Sequence, residues 1–162
     1  MKKLFIIMML LCVFVVTGCS FQGEESINAG VIVSNKTFMM ADDASDMKEH
    51  MGEAMEYFEQ ASCAFKGLDR IYTYEDVIIT TFEDGKTERI YSIELLTNDA
   101  KTSYATTVGD SVDVIKEKHE DALQNVEGTD IYEVKDITTK QIITYYTDGE
   151  KVDSIVVTYM TK

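Results

Sequence analysis

The side chains that most often carry chemistry in proteins are few in this sequence, apart from the carboxylates. It has two histidines, His50 and His119, and three cysteines, Cys12, Cys19 and Cys63. A zinc site needs three or four converging ligands, and a Ser-His-Asp hydrolase needs all three residues in one site. No spacing here meets either requirement, and both histidines stand among charged residues that predict a helix surface. The sequence therefore predicts no catalytic residue, no metal site and no cofactor.

The 29 acidic residues are the remaining candidates for chemistry. Asp42, Asp43 and Asp46 form a cluster, but calcium loops place ligands at alternating positions around a glycine, and helix capping explains these residues better. A glycosidase needs two carboxylates that face each other across a cleft, and the sequence does not single out such a pair. A cell-wall hydrolase, or an enzyme accessory or inhibitor, stays open as the alternative to a non-enzymatic binding protein.

The N-terminus has the order of a secretion signal. Lys2 and Lys3 precede thirteen apolar residues, from Leu4 to Val16, and small residues follow. A membrane-spanning helix needs roughly 20 apolar residues, so this segment is too short to span. Residues 1–18 are predicted to be a cleaved signal peptide.

The four residues Val16-Thr17-Gly18-Cys19 resemble the lipobox of bacterial lipoproteins at every position. The resemblance implies that the thiol of Cys19 receives diacylglycerol and that cleavage makes Cys19 the first residue. Two or more acyl chains, such as palmitate, give stable attachment where one does not. We expect a lipid-anchored protein on the extracytoplasmic face of the cell membrane.

The charge of the chain restricts its partners. Loss of Lys2 and Lys3 with the signal changes the formal net charge from −14 to −16. Such a surface repels nucleic acid and anionic lipid headgroups, so we expect no nucleic-acid partner. The membrane, through the lipid anchor, and a protein or cell-envelope partner are the expected contacts. A structural envelope spacer is a third interpretation.

Cys63 is the one thiol left once Cys12 is removed and Cys19 is modified. It has no intrachain disulfide partner, and its neighbours Ala61, Ser62, Ala64 and Phe65 are small or apolar. Free cysteine behaves as a small hydrophobe. We expect a buried, unreactive thiol.

After the signal, residues 19–36 are predicted to be the lipidated cysteine and a flexible tether, and residues 37–162 one globular domain. Within the domain, residues 40–54 align without a gap with residues 108–122, and Ile78-Ile79-Thr80 aligns with Ile142-Ile143-Thr144. Asp84-Gly85 aligns with Asp148-Gly149, and Ser92-Ile93 with Ser154-Ile155. The domain is therefore predicted to contain two repeat halves, at about 40–98 and 108–160.

The halves share an order of local signals. Capping residues at Asp42–Ser45 and at Asp110–Ser111 predict helix starts. Runs rich in β-branched and aromatic residues predict strands: 72–74, 77–82, 90–96, 131–134, 142–146 and 152–159. Each Asp-Gly pair lies between two runs, as in a hairpin turn. Glu53–Ala61 suits either a helix or a strand.

Two stretches, 62–74 and 108–115, resemble motifs of small uncharacterised lipoproteins of Gram-positive anaerobes. The resemblance implies an extended conformation after Gly52 and no catalytic residues; it departs at Lys118-His119, where that family has a Tyr-Gly pair. In outline, tandem helix-plus-sheet units are also similar to the beta-lactamase inhibitor protein and to an outer-membrane assembly lipoprotein. We expect an α+β fold of two tandem units, each a short helix with an antiparallel sheet.

Tyrosines supply the candidate binding residues. Tyr72, Tyr74, Tyr91, Tyr145 and Tyr146 all fall on predicted strands, where alternate side chains face opposite sides. Tyrosines that face outward offer a rigid contact area with a polar tip. We expect such tyrosines, with Glu88, Glu94 and Asp153 at the rim, to form a surface for a basic, polar or aromatic partner.

Overall fold

A computed structural model describes residues 29–161, and strands dominate this part of the chain. Strands make up 50% of it and helices 14%. The predicted α+β class is therefore wrong, and the fold is closer to all-β. The helices are short because each packs as a single element against a sheet that already supplies most of the core.

The described residues contain eleven strands, two α-helices and one turn of 3-10 helix, Glu120–Ala122. The strands are β1 (Gly30–Val33), β2 (Lys36–Met39), β3 (Glu56–Ala61), β4 (Leu68–Thr73), β5 (Val77–Asp84), β6 (Thr87–Leu95), β7 (Lys101–Thr102), β8 (Leu123–Asn125), β9 (Ile131–Asp136), β10 (Gln141–Thr147) and β11 (Val152–Tyr159). The helices are α1 (Ser45–Met51) and α2 (Val112–His119).

The strands form two antiparallel sheets. The large sheet has eight strands in the order β3-β4-β5-β6-β11-β10-β9-β8, and the small sheet has the order β2-β1-β7. One face of the large sheet is covered, because the core cluster joins its inward side chains to those of the small sheet and of both helices. We call this side the covered face and the opposite side the open face.

The predicted tether ends too late in the sequence. Residues 30–33 form β1, and Val31 and Val33 are almost fully buried in the core. Ser34 and Asn35 both have positive φ, as a two-residue hairpin turn requires. The apolar run Gly30–Val33 marks this strand in the sequence, but the predicted boundary was placed after it, at residue 36.

The predicted hairpins and the extended segment after Gly52 are confirmed. Both Asp-Gly pairs lie in hairpins, between β5 and β6 and between β10 and β11. Glu53–Ala61 contains strand β3, as the family resemblance implied. The capping prediction is confirmed for α2, where the Ser111 side chain accepts from the backbone N–H of Val114. It is wrong for α1, because the N-cap is Ala44, with no side-chain cap, and Asp43 accepts from the N–H of Ser45 instead.

The two halves of the large sheet follow the same path. Each runs from a helix through a four-stranded antiparallel meander, and β6 pairs with β11 to join them. The segment before each helix also pairs with the strand that ends its half. The Ala41 N–H donates to Ile90 and the Gly109 N–H donates to Val152 at the same 2.8 Å.

The pairing at the seam is symmetric about Glu94 and Val156. Ile93 pairs with Val157, and Leu95 pairs with Ile155. The sequence alignment equates Ile93 with Ile155 and therefore Glu94 with Val156, so the two equivalent positions are each other's partners. The internal repeat thus corresponds to a pseudo-twofold relation centred on this pair.

One detail of the predicted repeat is displaced. The alignment equated Ile79 with Ile143, but the partner of Ile93 is Ile79 and the partner of Ile155 is Tyr145. The shift arises because the β5–β6 hairpin extends further beyond its bulge than the β10–β11 hairpin does. The longer hairpin carries Glu83 and Glu88, which have a role in the groove described below.

Candidate functional site

The structure divides the five predicted tyrosines between the two faces of the large sheet. Tyr145 is fully buried and Tyr74 is 6% exposed, both on the covered face. Tyr72 is also on that face, because it pairs with the buried Ile79. Tyr146, next to Tyr145 in the chain, points to the open face and is 42% exposed.

Tyr91 is the second tyrosine outside the covered face. It lies at the bulge of β6 and contacts the rings of Phe82 and Phe65 edge-on. Phe65 belongs to the β3–β4 loop, which folds back and stacks on Phe82 with ring centroids 3.9 Å apart. Gly67 makes this turn with φ of 100°. An aromatic cluster therefore covers one end of the open face.

The rest of the open face is a row of side chains that crosses all eight strands. Its members are direct cross-strand partners in turn: Glu56, Thr73, Ile78, Glu94, Val156, Thr144, Glu133 and Gln124. Direct partners face the same side of a sheet. The central six are partly exposed, whereas buried residues fill the parallel row on the covered face.

Glu94 lies at the centre of this row. Its neighbours in the row are Ile78 and Val156, and it forms no ion pair within residues 29–161. Glu133, further along, is held by Lys135. Glu56, at the edge of the row on β3, also forms no ion pair among the described residues, so Glu94 is the uncompensated carboxylate at the centre of the open face, with aliphatic side chains on both sides.

Of the three acids predicted at the rim, Glu88 is on the covered face. There it lies in a groove of about 380 Å³ between α1 and the β5–β6 hairpin. Lys48 Nζ donates to Glu88 Oε2 at 2.6 Å, and the hydroxyls of Tyr72 and Thr81 donate to Oε1 at 2.8 and 2.6 Å. Asp153, the third acid, is exposed.

Arg70 extends this cluster along the groove. It donates to Glu83 Oε1 at 2.6 Å and lies 3.8 Å from Glu88 and 3.7 Å from Glu59. Neither Arg70 nor Lys48 was predicted as a site residue from the sequence. The register of Arg70, two residues before Tyr72 on the same face, is the signal that could have found it.

The electrostatics of the groove hold its central acid ionised. Burial raises the pKa of Glu88, but hydrogen bonds from Lys48, Thr81 and Tyr72 outweigh it and leave the pKa below its usual value. A glycoside hydrolase needs one carboxyl whose pKa is raised, so that it can act as an acid. Glu88 is therefore suited to holding its neighbours in place, and it is poorly suited to general acid catalysis.

A related groove occupies the equivalent position in the second half. Lys116 corresponds to Lys48 and Tyr132 to Tyr72, and each ammonium lies over its ring, at 5.9 and 5.7 Å from the centroid. Glu150, the counterpart of Glu88, lines this groove but is exposed. The half with the longer hairpin therefore has an ionic cluster around Glu88, whereas Glu150 in the other half is exposed.

The two histidines differ, although both were predicted to be exposed. His50 is exposed on α1, whereas His119 is 6% exposed at the end of α2. Burial lowers the pKa of His119 to about 4. Its Nε2 lies 2.5 Å from the hydroxyl of Tyr145. The spacing of Val112, Ile115 and His119 along one helix face is the signal that could have shown this burial.

Cys63 is another correction, because it is exposed in the β3–β4 loop. Its small neighbours reflect the tight loop and not a buried environment. Among residues 29–161 no group of three or more His, Cys, Asp or Glu side chains is placed to hold a metal ion. Cys19 lies outside the described residues.

No helix within residues 29–161 is long and apolar enough to cross a membrane. Comparisons with protein-family models, curated proteins and solved structures each found no match. The resemblance to lipoproteins of anaerobes, and the architectural likeness to the beta-lactamase inhibitor protein, therefore stay predictions.

Proposed function

We propose that this protein is a lipid-anchored lipoprotein of the extracytoplasmic membrane face, and that it binds a basic partner through the open face of its large sheet. The observation that carries the proposal is the row of partly exposed side chains across eight strands, with Glu94 unpaired at its centre. A sheet with one uncovered face offers a large and rigid contact area.

The chemistry of the open face favours a cationic partner. Glu94 has no ion pair in the described chain, and the formal net charge of the full sequence is −14. An acidic surface speeds encounter with a basic protein, while close apolar and aromatic contacts set the lifetime of the complex. Ile78 and Val156 supply such contacts beside Glu94, and Tyr146 is exposed on the same face two strands away.

The position of the chain start suits this arrangement. The backbone N–H of Ala29 donates to the side chain of Gln141, which is buried on the covered face. The nine residues between Cys19 and Ala29 span at most about 30 Å. A lipid on Cys19 would therefore keep the covered side, where the described chain begins, within about 30 Å of the membrane.

The groove around Glu88 supports binding better than hydrolysis. Its two carboxylates, Glu83 and Glu88, are both held by cations. Neither has the apolar surroundings that would raise the pKa of a catalytic acid. No specific feature favours a cell-wall hydrolase or a passive spacer over the binding interpretation.

Anchoring is tested by replacing Cys19 with serine in the full chain. We expect the variant to leave the membrane fraction or to accumulate as an uncleaved precursor. Processing at the same bond together with membrane fractionation would contradict the lipid anchor.

Binding is tested with a photoreactive phenylalanine analogue placed at Tyr146 or at Ile137. Both positions are exposed, but Ile137 lies in the β9–β10 loop and is 85% exposed. In native membranes we expect a discrete cross-linked product from position 146 that Glu94→Lys abolishes. Equal cross-linking from both positions, or a product that is insensitive to Glu94→Lys, would reject the open face as the binding surface.

A further inference from the structure

Strand β3 forms one edge of the large sheet and is exposed along its whole length. All six of its residues are exposed, including Tyr57 at 54% and Phe58 at 57%. Six consecutive residues pair with β4 in regular register, so their alternate backbone N–H and C=O groups point away from the sheet. The opposite edge, β8, has three residues.

Edge strands of soluble proteins usually carry features that prevent pairing with another chain. Charged side chains, lysine above all, proline, a bulge or a very short length are the common ones, and β3 carries two charges, Glu56 and Glu59. Within Glu56–Ala61 there is no lysine and no proline, and the pairing with β4 shows no bulge. An edge this long and regular is a template for a further strand.

We propose that the further strand is β3 of a second copy, paired antiparallel across a twofold axis at Phe58. A twofold axis perpendicular to the sheet must lie midway between one residue of β3 and the same residue of the second copy. Any other register would pair residues that face opposite sides of the sheet. An axis at Glu56 or Glu59 would place two carboxylates opposite each other. Axes at Tyr57, Phe58 and Gln60 avoid this clash. Of the three, the axis at Phe58 pairs the longest stretch within β3, residues 56–60, and it opposes the two Phe58 rings.

The remaining pairs of this register are complementary. Tyr57 lies opposite Glu59 of the second copy, Glu56 opposite Gln60, and Met55 opposite Ala61. Tyr57 already donates to its own Glu59 at 2.8 Å, which shows that this hydroxyl and carboxylate are suited to each other. Directly opposed aromatic pairs and hydrogen-bonding pairs stabilise antiparallel strands.

The acidic net charge is compatible with this contact. Glu59 lies 3.7 Å from Arg70, so its charge is compensated locally. Exposed charges further apart than about 8 Å are largely screened at physiological salt. The repulsion between copies therefore acts mainly on the encounter rate and leaves the strand contacts intact.

The symmetry also fits a surface-bound protein. A twofold axis perpendicular to the sheet keeps both covered faces on one side and both open faces on the other. Ala29 begins on the covered side in each copy. Two chains could therefore be anchored in the same membrane. This point and the cross-linking test in membranes depend on the proposed lipid anchor, whereas the sedimentation test does not.

The test uses disulfide cross-linking of the full chain in its native membranes. Each cysteine is introduced into a chain that also carries Cys63→Ser. Direct partners across antiparallel strands come close enough for a disulfide, whereas positions two residues from the axis on each copy lie roughly 14 Å apart. We expect Phe58→Cys to form a dimer linked through position 58 at least about tenfold more efficiently than Gln60→Cys.

A second measurement avoids the introduced thiols. We expect the purified full chain in detergent to sediment as a dimer, Phe58→Asp as a folded monomer, and Tyr146→Asp as a dimer. Equal cross-linking at positions 58 and 60, a position-58 product with a different protein, or a wild-type chain that sediments as a monomer would each overturn the proposal. Binding to the open face is measured by photocross-linking at position 146, so the binding proposal and the dimer proposal can be contradicted independently.

Discussion

Nε2 of His119 and the hydroxyl oxygen of Tyr145 lie 2.5 Å apart within the core. The hydroxyl of Tyr145 also contacts Thr106, whose own hydroxyl contacts Thr102, at 2.9 and 2.6 Å. This buried polar chain links α2 to β10 and β7. Its histidine is a titratable group buried in the interior of the second half.

The pKa of His119 gives the fold a defined pH dependence. Burial lowers it from 6.5 to about 4, so between these values the unfolded chain takes up a proton that the folded chain excludes. His119 therefore does not lower the free energy of unfolding above pH 6.5, and it lowers this free energy progressively as the pH decreases towards about 4. The expected loss is on the order of 3 kcal/mol, measured by urea unfolding at a series of pH values.

The control for this prediction is His119→Gln, which keeps a polar group near Tyr145 but does not titrate. We expect a lower stability at pH 7 and a flat profile between pH 6.5 and 4.5. A wild-type profile that is already flat in this range would show that His119 is protonated without cost and would contradict its burial.

The two equivalent grooves predict different effects of the same substitution. Glu88→Gln removes the charge that holds Lys48 and accepts from Tyr72 and Thr81. We expect a loss of about 1–3 kcal/mol in the free energy of unfolding. Glu150→Gln, at the exposed counterpart, should change it by less than about 0.5 kcal/mol. Equal losses of unfolding free energy for the two variants would contradict a stabilising role that is specific to the Glu88 cluster.

The seam between the halves should be the most sensitive part of the sheet. Ile93 and Ile155 are equivalent and both are fully buried. We expect alanine at either position to cost about 2–5 kcal/mol, with one unfolding transition for the whole domain. Ile142→Ala, on the open face, is the matched control and should cost clearly less. Two separate transitions in the wild-type chain would contradict a continuous eight-stranded sheet.

The exposure of Cys63 can be measured without any substitution. We expect a thiol reagent to label it in the folded protein at nearly the rate seen after denaturation. Labelling that is strongly slowed in the folded state would restore the buried thiol that its neighbours in the sequence suggested.

How far the sequence predicts this fold depends on the range of the interaction. Hairpins at Asp84-Gly85 and Asp148-Gly149 were predictable because turn chemistry is local. The sheet order was not, since the pairing of Leu95 with Ile155 joins residues far apart in the chain. The α+β expectation failed because periodicity reports a helix without showing how little of the core it supplies.

The candidate surface was predictable only in part. Alternation guarantees that Tyr145 and Tyr146 face opposite sides, but which of them is buried depends on where the small sheet packs. Strand β1, which helps to decide this, was itself assigned to the tether. Glu94 was predicted at the rim of this surface, and that position is wrong, because the pairing of the two halves places it at the centre of the sheet.

The most direct test of an occupied open face compares thiol labelling of Thr144→Cys in the native envelope and in purified protein, both with Cys63→Ser. Thr144 lies in the same row as Glu94, and Ile137→Cys in the β9–β10 loop is the control. A bound partner should slow labelling at position 144 in the envelope by about tenfold, corresponding to roughly 1.4 kcal/mol of protection, and should leave position 137 unchanged. Adding Glu94→Lys should restore the rate seen in purified protein. Equal rates at position 144 in the envelope and in purified protein would contradict the proposed function.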